Sequence, residues 1–443
     1  MANFQVWTSN EDQMLVQRDS LTLKDDLKTE NGIINVFDDV TFQEILGFGG
    51  AFTESSAYNY SLLDEENRKK LLAAYFDANT GLGYRFCRTH INSCDFSLKK
   101  YSYADANDTE LKSFSIAHDE EYILPFLRDA LAYAGGDLFL FASPWSPPAW
   151  MKDSKRMMLG GKLLWKYADC WANYFVKYIQ EYAKAGVPIA GVTVQNEPNA
   201  VQTWESCVYT AEDEARFVAD HLYPALEKAG LGNIKIIVWD HNKERVYDRA
   251  RAIFANSEAA KRIWGVGFHW YSGAHYNGLD LVNRAFPDKK LITTEFCCGG
   301  TGGSYRSAFS YASDMLENLA HHTCASVDWN MILDTSGGPY HGRVGGCQAP
   351  VTVDPKKRTF TLEPTYYAIA HFSRFIKKGA VRIGHSTFTE DVRAAAFRNP
   401  DGTVAAVLLN KSNSAVKTLL RYHDQTAPLT LSANSITTVI SIK

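Results

Sequence analysis

No stretch of about 18 apolar residues occurs anywhere in this chain, which excludes a helix long enough to cross a bilayer. The first dozen residues lack the basic segment and apolar run of a secretory leader, so the sequence as written sets a cytoplasmic expectation. Charge of one sign is scarce too. Lys and Arg number 46 against 50 Asp and Glu, a formal net charge of −4, which gives no electrostatic reason to expect nucleic acid or an anionic membrane as partner. There is no internal repeat, linker run or low-complexity stretch. Gly47-x-Gly-Gly50 lacks the Lys-Ser/Thr of a phosphate loop and the spacing of a dinucleotide fingerprint, so a tight backbone turn is expected there. No G-x-S-x-G elbow is present. Cys297-Cys298 and His321-His322 are adjacent pairs, whereas structural zinc sites space their ligands, so neither a metal nor a cofactor is expected. The eight cysteines, without a leader, read as reduced and mostly buried thiols.

What is present is a large, ordinary globular composition. The chain has 443 residues, 46% hydrophobic and 22% charged, enough for one large barrel and a smaller module. Aromatics reach 13%, which suits either core filling or a pocket for a ligand that has both apolar faces and hydroxyls.

Short apolar runs cover 45–51, 84–89, 138–142, 191–195, 234–239, 266–270, 291–294 and 326–332. Helical patterns separate them. Ala168, Trp171, Phe175, Val176, Ile179 and Ala183 follow the spacing of a helix that buries one face. Thr210 with Asp213 reads as a capping box, and the helix it opens ends near Gly230 and Gly232. Residues 304–322 and 364–378 read as further helices. Eight buried strands alternating with helices predict an α/β fold, a (β/α)₈ TIM barrel rather than a doubly wound sheet. Polar or aromatic residues follow nearly every run at once, as they do where a barrel builds its active site.

From about Thr387 the period changes to two, with Asn399-Pro-Asp-Gly402 as a hairpin turn and strands at 417–422 and 435–442. The strand-like N-terminal stretches 5–8, 14–21 and 34–36 lack a core of their own. Pairing them with the C-terminal strands predicts an antiparallel β-sandwich attached to the barrel and built from both chain ends. The expected division is 1–40 for N-terminal sandwich strands, 41–380 for the catalytic barrel and 381–443 for C-terminal sandwich strands.

The fourth run ends in Gln195-Asn196-Glu197-Pro198 and the seventh in Thr294-Glu295-Phe296. Strands four and seven face each other across a closed barrel, so the two carboxylates can enter one cavity from opposite sides. Glycoside hydrolysis needs such a pair, and a separation of roughly 5 Å allows direct attack and net retention. One buried glutamate alone is as readily a salt-bridged structural residue. Two at these strand ends favour catalysis, and the Asn196 amide can hydrogen-bond the sugar hydroxyl beside the anomeric centre.

These motifs and several others together resemble glycoside hydrolase family 30, the group that contains the glucosylceramidases. The resemblance rests on Leu46-Gly-Phe-Gly-Gly-Ala-Phe-Thr53, on Arg88 with Asn92-Ser-Cys-Asp-Phe-Ser97, and on Ala142-Ser-Pro-Trp-Ser-Pro-Pro-Ala-Trp150. It extends to Phe268-His-Trp-Tyr271 and Asp328-Trp-Asn330. It implies Glu197 as general acid/base and Glu295 as nucleophile. It implies contacts to the sugar from Asp95, Trp145, Asn196, Tyr271 and Trp329, with His269 and Tyr271 on the nucleophile side and Arg88 behind it. A retaining exo-β-glucosidase of glucosylceramidase type is the expected activity, with β-xylosidase, β-fucosidase and β-1,6-glucanase as rivals. The expected partner is a small glycoside or oligosaccharide. A barrel that binds carbohydrate without cleaving it, or a phosphate-handling isomerase barrel, are alternatives of other classes. The double-displacement mechanism leads one to expect Glu197 with a raised pKa and Glu295 with a lowered one. Cys297 and Cys298 lie near the nucleophile, so thiol-sensitive activity is expected. The pattern departs from the family after Gly337-Gly-Pro339, where residues 340–347 read Tyr-His-Gly-Arg-Val-Gly-Gly-Cys.

Overall fold

The computed structural model describes residues 3–342 and 345–442, so part of the divergent 340–347 loop lies outside the described residues. Eight parallel strands close a barrel, and each corresponds to one of the eight apolar runs. In order they are Gly47–Phe52, Phe86–Ile91, Phe139–Pro144, Gly191–Thr193, Lys235–Asn242, Ile263–His269, Lys290–Glu295 and Thr323–Asn330. Strand eight pairs with strand one, which completes the ring. Phe86, Phe141, Ile237, Ile292 and Val327 cluster together with Ala325 and fill the ring with apolar side chains. Alternation along a strand returns every second residue to the same side. The residues two places beyond Phe86 and Phe141 are therefore Arg88 and Ser143, whose side chains meet inside the ring above that plug.

The glycines of strand one form no turn. They lie within the strand, where a Cβ on Gly49 would sit 1.8 Å from the carbonyl oxygen of Phe86. Only glycine lets strands one and two approach this closely.

The helix Ala168–Lys184 buries Ala168, Trp171, Phe175, Val176 and Ile179 as expected, while Ala183, in its last turn, is exposed. Thr210 and Asp213 form the capping box in full. The helix beyond it passes through a π-helical stretch, Phe217–Leu222, before Tyr223–Lys228 and Gly230. Tyr305–Ala320 is capped by the Ser304 hydroxyl, which accepts the Ser307 N–H.

Both chain ends join one ten-stranded sheet. Asn3–Asn10 lies antiparallel between Gln13–Thr22 and Ser435–Ile442. Ile33–Glu44 pairs with Val381–Ser386. The sheet is not wholly antiparallel, because Val416–Tyr422 runs parallel to Ile33–Glu44. Two features escape the sequence pattern. Gln425–Leu431 is a strand despite Pro428, and Ile332–Asp334, Val351–Asp354 and Thr359–Leu362 form a small extra sheet after barrel strand eight. The helix Pro364–Ser373 joins sheet to barrel. Its buried His371 bonds Ser9 through Nε2 and Thr438 through Nδ1, both at 2.8 Å. Burial, helped by the charge of Arg374, drives the His371 pKa down to about 3, so this junction carries a neutral imidazole. No helix among the described residues is long and apolar enough to cross a membrane.

Candidate active site

Glu197 and Glu295 enter one cavity at the C-terminal mouth of the barrel. One oxygen of each carboxylate and a ring nitrogen of His269 lie within 4.8 Å of one another. The cavity, of about 350 Å³, is lined by Asp95, Trp145, Asn196, Tyr271 and Trp329 along with both glutamates. Of the nine residues expected at the site, these seven line the cavity, while Arg88 and His269 stand against its glutamates from behind.

Arg88 organises the base of the site. It is fully buried on strand two. Nη1 donates to Glu295 Oε2 at 2.8 Å and to the Thr294 carbonyl at 3.2 Å. Nη2 donates to Asn196 at 2.8 Å and to Asp240 at 2.9 Å, and Nε donates to Ser143. One guanidinium thus ties strands two, three, four, five and seven together. The indoles of Trp145 and Trp329 stack at 5.1 Å, and the guanidinium carbon lies 4.8 Å from the Trp145 ring centroid. A planar cation beside an aromatic face is favourable where water is excluded. Removing it strands the buried Asp240. Arg88→Met is expected to lower folding stability by roughly 3–5 kcal/mol, the range for breaking a buried ion pair from one side. Urea denaturation measures this, and a loss below about 1 kcal/mol would mean the network is not a structural keystone.

Glu197 sits on strained backbone. Its φ is +47°, which for a residue with a Cβ costs about 1–3 kcal/mol and is held only by surrounding contacts. Two such contacts are visible: its N–H donates to the Asp240 carbonyl at 3.0 Å, and its carbonyl accepts the Ala200 N–H at 2.8 Å.

His269 joins the two acids. Its Nδ1 lies 3.3 Å from Glu197 Oε1 and 3.8 Å from Glu295 Oε1, while Nε2 meets Asp240 at 3.0 Å. The resemblance places it on the Glu295 side, yet it stands nearer Glu197. Burial opposes its charge, but Glu295, Asp240 and Glu197 together lift its pKa to about 9, so it is an imidazolium at neutral pH. Tyr271 donates to Glu295 Oε1 at 2.9 Å.

These neighbours reverse the expected order of acidity. Burial works against the charge of Glu197, but the His269 hydrogen bond and charge, helped by His241 and Gln202, outweigh it and hold the carboxyl below the usual glutamate range. On Glu295 burial is again the largest influence. His269 and Arg88 pull the pKa down, the nearby Glu197 pushes it up, and the net direction is upward. The His269 hydrogen bond goes to Glu197, while on Glu295 burial and the Glu197 charge prevail.

Two carboxylates and an imidazole this close can also ligate a cation. Arg88 and a protonated His269 already place two positive charges on them, which opposes a metal.

Sequence reasoning missed Asp240, His241, Gln202 and Trp204. Asp240 is buried at the end of strand five and accepts from Arg88, from His269 and from the Thr193 hydroxyl at 2.8 Å. Its carboxyl lies well below the usual range. Burial opposes that shift, but the Arg88 charge and the His269 hydrogen bond prevail. The signal was available, because Asp240-His-Asn242 follows an apolar run just as Asn196-Glu197 does.

The model of the glycosyl hydrolase family 30 TIM-barrel domain matches residues 45–376, and that of the family 30 beta sandwich domain matches residues 379–439. The lysosomal acid glucosylceramidase of Mus musculus is 33% identical over 396 residues, covering 85% of this chain and 76% of the mouse protein. The crystal structure of SrfJ from Salmonella typhimurium superposes with a TM-score of 0.96 at 32% identity, over 99% of both chains. The endo-β1,6-glucanase BT3312 superposes with a TM-score of 0.89 at 28% identity, over 99% of this chain and 100% of its own.

Proposed function

This chain belongs to glycoside hydrolase family 30, and from that premise we propose that it is a retaining exo-β-glycosidase acting on β-D-glucosides through a glycosyl-enzyme on Glu295. The observation that carries the reading is the pair of carboxylates within 4.8 Å of each other in one cavity. Inverting enzymes keep their carboxyls roughly 6.5–9.5 Å apart to admit a water, and retaining enzymes about 5–5.5 Å.

The Glu295 carboxylate attacks the anomeric carbon while Glu197 gives its proton to the glycosidic oxygen. Water, deprotonated by Glu197, then releases the sugar with its configuration kept. Arg88 and Tyr271 fix the two Glu295 oxygens, so the attacking carboxylate needs little reorganisation. Asn196, held by Arg88, is placed to meet the neighbouring hydroxyl. Trp145 and Trp329 offer flat apolar faces to the sugar's C–H groups. Exo action is part of the proposal, and the substrate panel tests it. Beside Asp95 the His341 N–H donates to the Asp95 carbonyl at 2.9 Å, and the His341 ring meets Glu205 at 3.3 Å. Glucose as the glycone rests on the glucosylceramidase name of the mouse relative. An endo-β-1,6-glucanase is the second reading, favoured by the superposition on BT3312 over the whole chain. A panel of nitrophenyl β-glycosides, an alkyl β-glucoside and a β-1,6-glucan separates the two, with NMR of the first-formed product anomer. Inverted product, or no cleavage of any β-glucoside, would overturn the proposal.

The pH dependence follows from one shared proton. Catalysis needs the pair singly protonated, with the proton on Glu197. At low pH Glu295 is protonated and cannot attack. At high pH Glu197 has none to give. The profile of kcat/KM is therefore expected to be bell-shaped, with limbs that belong to the pair. Because the first proton leaves the pair from Glu197, held below the usual range, and the second from Glu295, held above it, the acid limb is expected below the ordinary glutamate pKa of about 4.3 and the alkaline limb above it. The imidazolium of His269, 3.3 Å from Glu197, is positioned to pass a proton to it. A rate constant from acid to alkaline pH would contradict this scheme.

A further inference from the structure

The cavity wall holds two thiols that the hydrolytic chemistry does not use. Cys297 Sγ and Cys347 Sγ are 3.5 Å apart, and both residues line the cavity. They arrive there on neighbouring segments. Cys297 lies two residues beyond Glu295, and Cys347 lies between the short strands Ile332–Asp334 and Val351–Asp354 that follow strand eight. The segments run side by side. Gly299 bridges Cys347 in an antiparallel pair, Gln348 N–H donates to the Cys298 carbonyl at 2.9 Å, and Gly300 N–H donates to the Gly346 carbonyl at 3.2 Å. The backbones are thus hydrogen-bonded side by side, with the two sulfurs already in contact. A disulfide needs about 2.05 Å between sulfurs, so the pair must draw closer by about 1.5 Å. Neither cysteine is in a disulfide in this structure.

We propose that Cys297 and Cys347 form a reversible disulfide under peroxide, and that this bond impairs the neighbouring acid pair. The balance is simple. Peroxide oxidises one thiolate to a sulfenic acid and is reduced to water. The second thiol then displaces the hydroxyl as a second water, joining the two sulfurs. Overall, two thiols and one hydrogen peroxide give one disulfide and two waters. A dithiol reductant reverses it by exchange.

The coupling to catalysis runs through Tyr271. Its hydroxyl lies 3.3 Å from Cys297 Sγ and 2.9 Å from Glu295 Oε1. Drawing Cys297 toward Cys347 removes one neighbour of that hydroxyl and moves the segment beginning two residues after Glu295. Small displacements at a reacting carboxylate are costly, so activity is expected to fall roughly tenfold to a hundredfold on oxidation. The Cys347 hydrogen bond, burial and the nearby Glu295 all raise the Cys297 pKa. The thiolate is the reactive form, so the bond is expected to form slowly at neutral pH and faster as pH rises.

The activity part rests on the proposed glycosidase function; the bond itself does not. The full-length protein is treated with hydrogen peroxide, digested without reduction and mapped by mass spectrometry. A peptide pair joining Cys297 to Cys347, lost on treatment with dithiothreitol, is the expected result. Recovery of the two residues unlinked after complete oxidation of the sample, or linkage of either to Cys298, would overturn the proposal. The activity arm compares each protein with its own untreated rate on an aryl β-glucoside. Wild type is expected to lose activity and regain it with reductant. Cys347→Ser is expected to lose the reductant-reversible part. Equal, reversible loss in both proteins would overturn the coupling even where the bond is found. If Cys347→Ser fails to fold, the wild-type linkage map with the wild-type rates before and after reduction decides the matter. Absence of hydrolysis in the untreated protein would count against the glycosidase reading alone.

Discussion

Glu295→Gln is expected to lower kcat by roughly 10⁴-fold or more on every glycoside, activated or not, the scale on which removal of a nucleophile acts. The amide keeps the size of the side chain and can still face Arg88 with its oxygen and Tyr271 with its nitrogen. What it loses is the electron pair that forms the bond to the anomeric carbon. No leaving group compensates, because the first step itself has no nucleophile. The substitution also removes a buried anion from beside Arg88 and His269. Thermal unfolding should accompany the kinetics to separate lost chemistry from lost folding. A folded variant with near-normal turnover would remove Glu295 from the mechanism.

Glu197→Gln is expected to behave differently, and the difference identifies the acid. On an alkyl β-glucoside, whose leaving oxygen needs a proton, the loss is expected near 10³-fold, within the range of general acid catalysis. On a dinitrophenyl glucoside, whose phenolate departs unaided, the first step is expected to lose about tenfold or less. Deglycosylation also needs Glu197, as base, so a pre-steady-state burst is expected and azide should restore turnover by replacing the activated water. Equal losses on both substrates would assign Glu197 a structural role, for which its contact with His269 and its strained backbone give an alternative reason.

The barrel was legible because fully buried parallel strands leave continuous apolar runs, and the order of those runs is the order of the ring. The sheet from both chain ends was legible for a different reason, since the hairpin of Asn3–Asn10 with Gln13–Thr22 has no core of its own until Ser435–Ile442 pairs with it. Gln425–Leu431 was not, because Pro428 removes a ladder donor and breaks the usual strand signal. The acid pair could be read from strand ends alone. The network behind it could not. Arg88, Asn196, Asp240 and Glu295 are spread over 208 residues of sequence numbering, from 88 to 295, and meet only when the ring closes. The acidity order of Glu197 and Glu295 depends on burial and on His269, Arg88 and the two carboxyls' own proximity, none of which a linear pattern encodes. The positive φ of Glu197 is equally invisible in the tetrapeptide around it.

A sugar trapped midway would test the shared cavity most directly. A dinitrophenyl 2-deoxy-2-fluoro-β-glucoside slows both steps but keeps a good leaving group, so the covalent intermediate accumulates. Intact-mass and peptide mapping are expected to find one fluoroglucosyl group, attached through an ester to the side chain of residue 295. Attachment elsewhere, or no adduct together with an inverted product from the parent glucoside, would mean that the carboxylates at 197 and 295 do not work as a nucleophile and acid across one anomeric carbon.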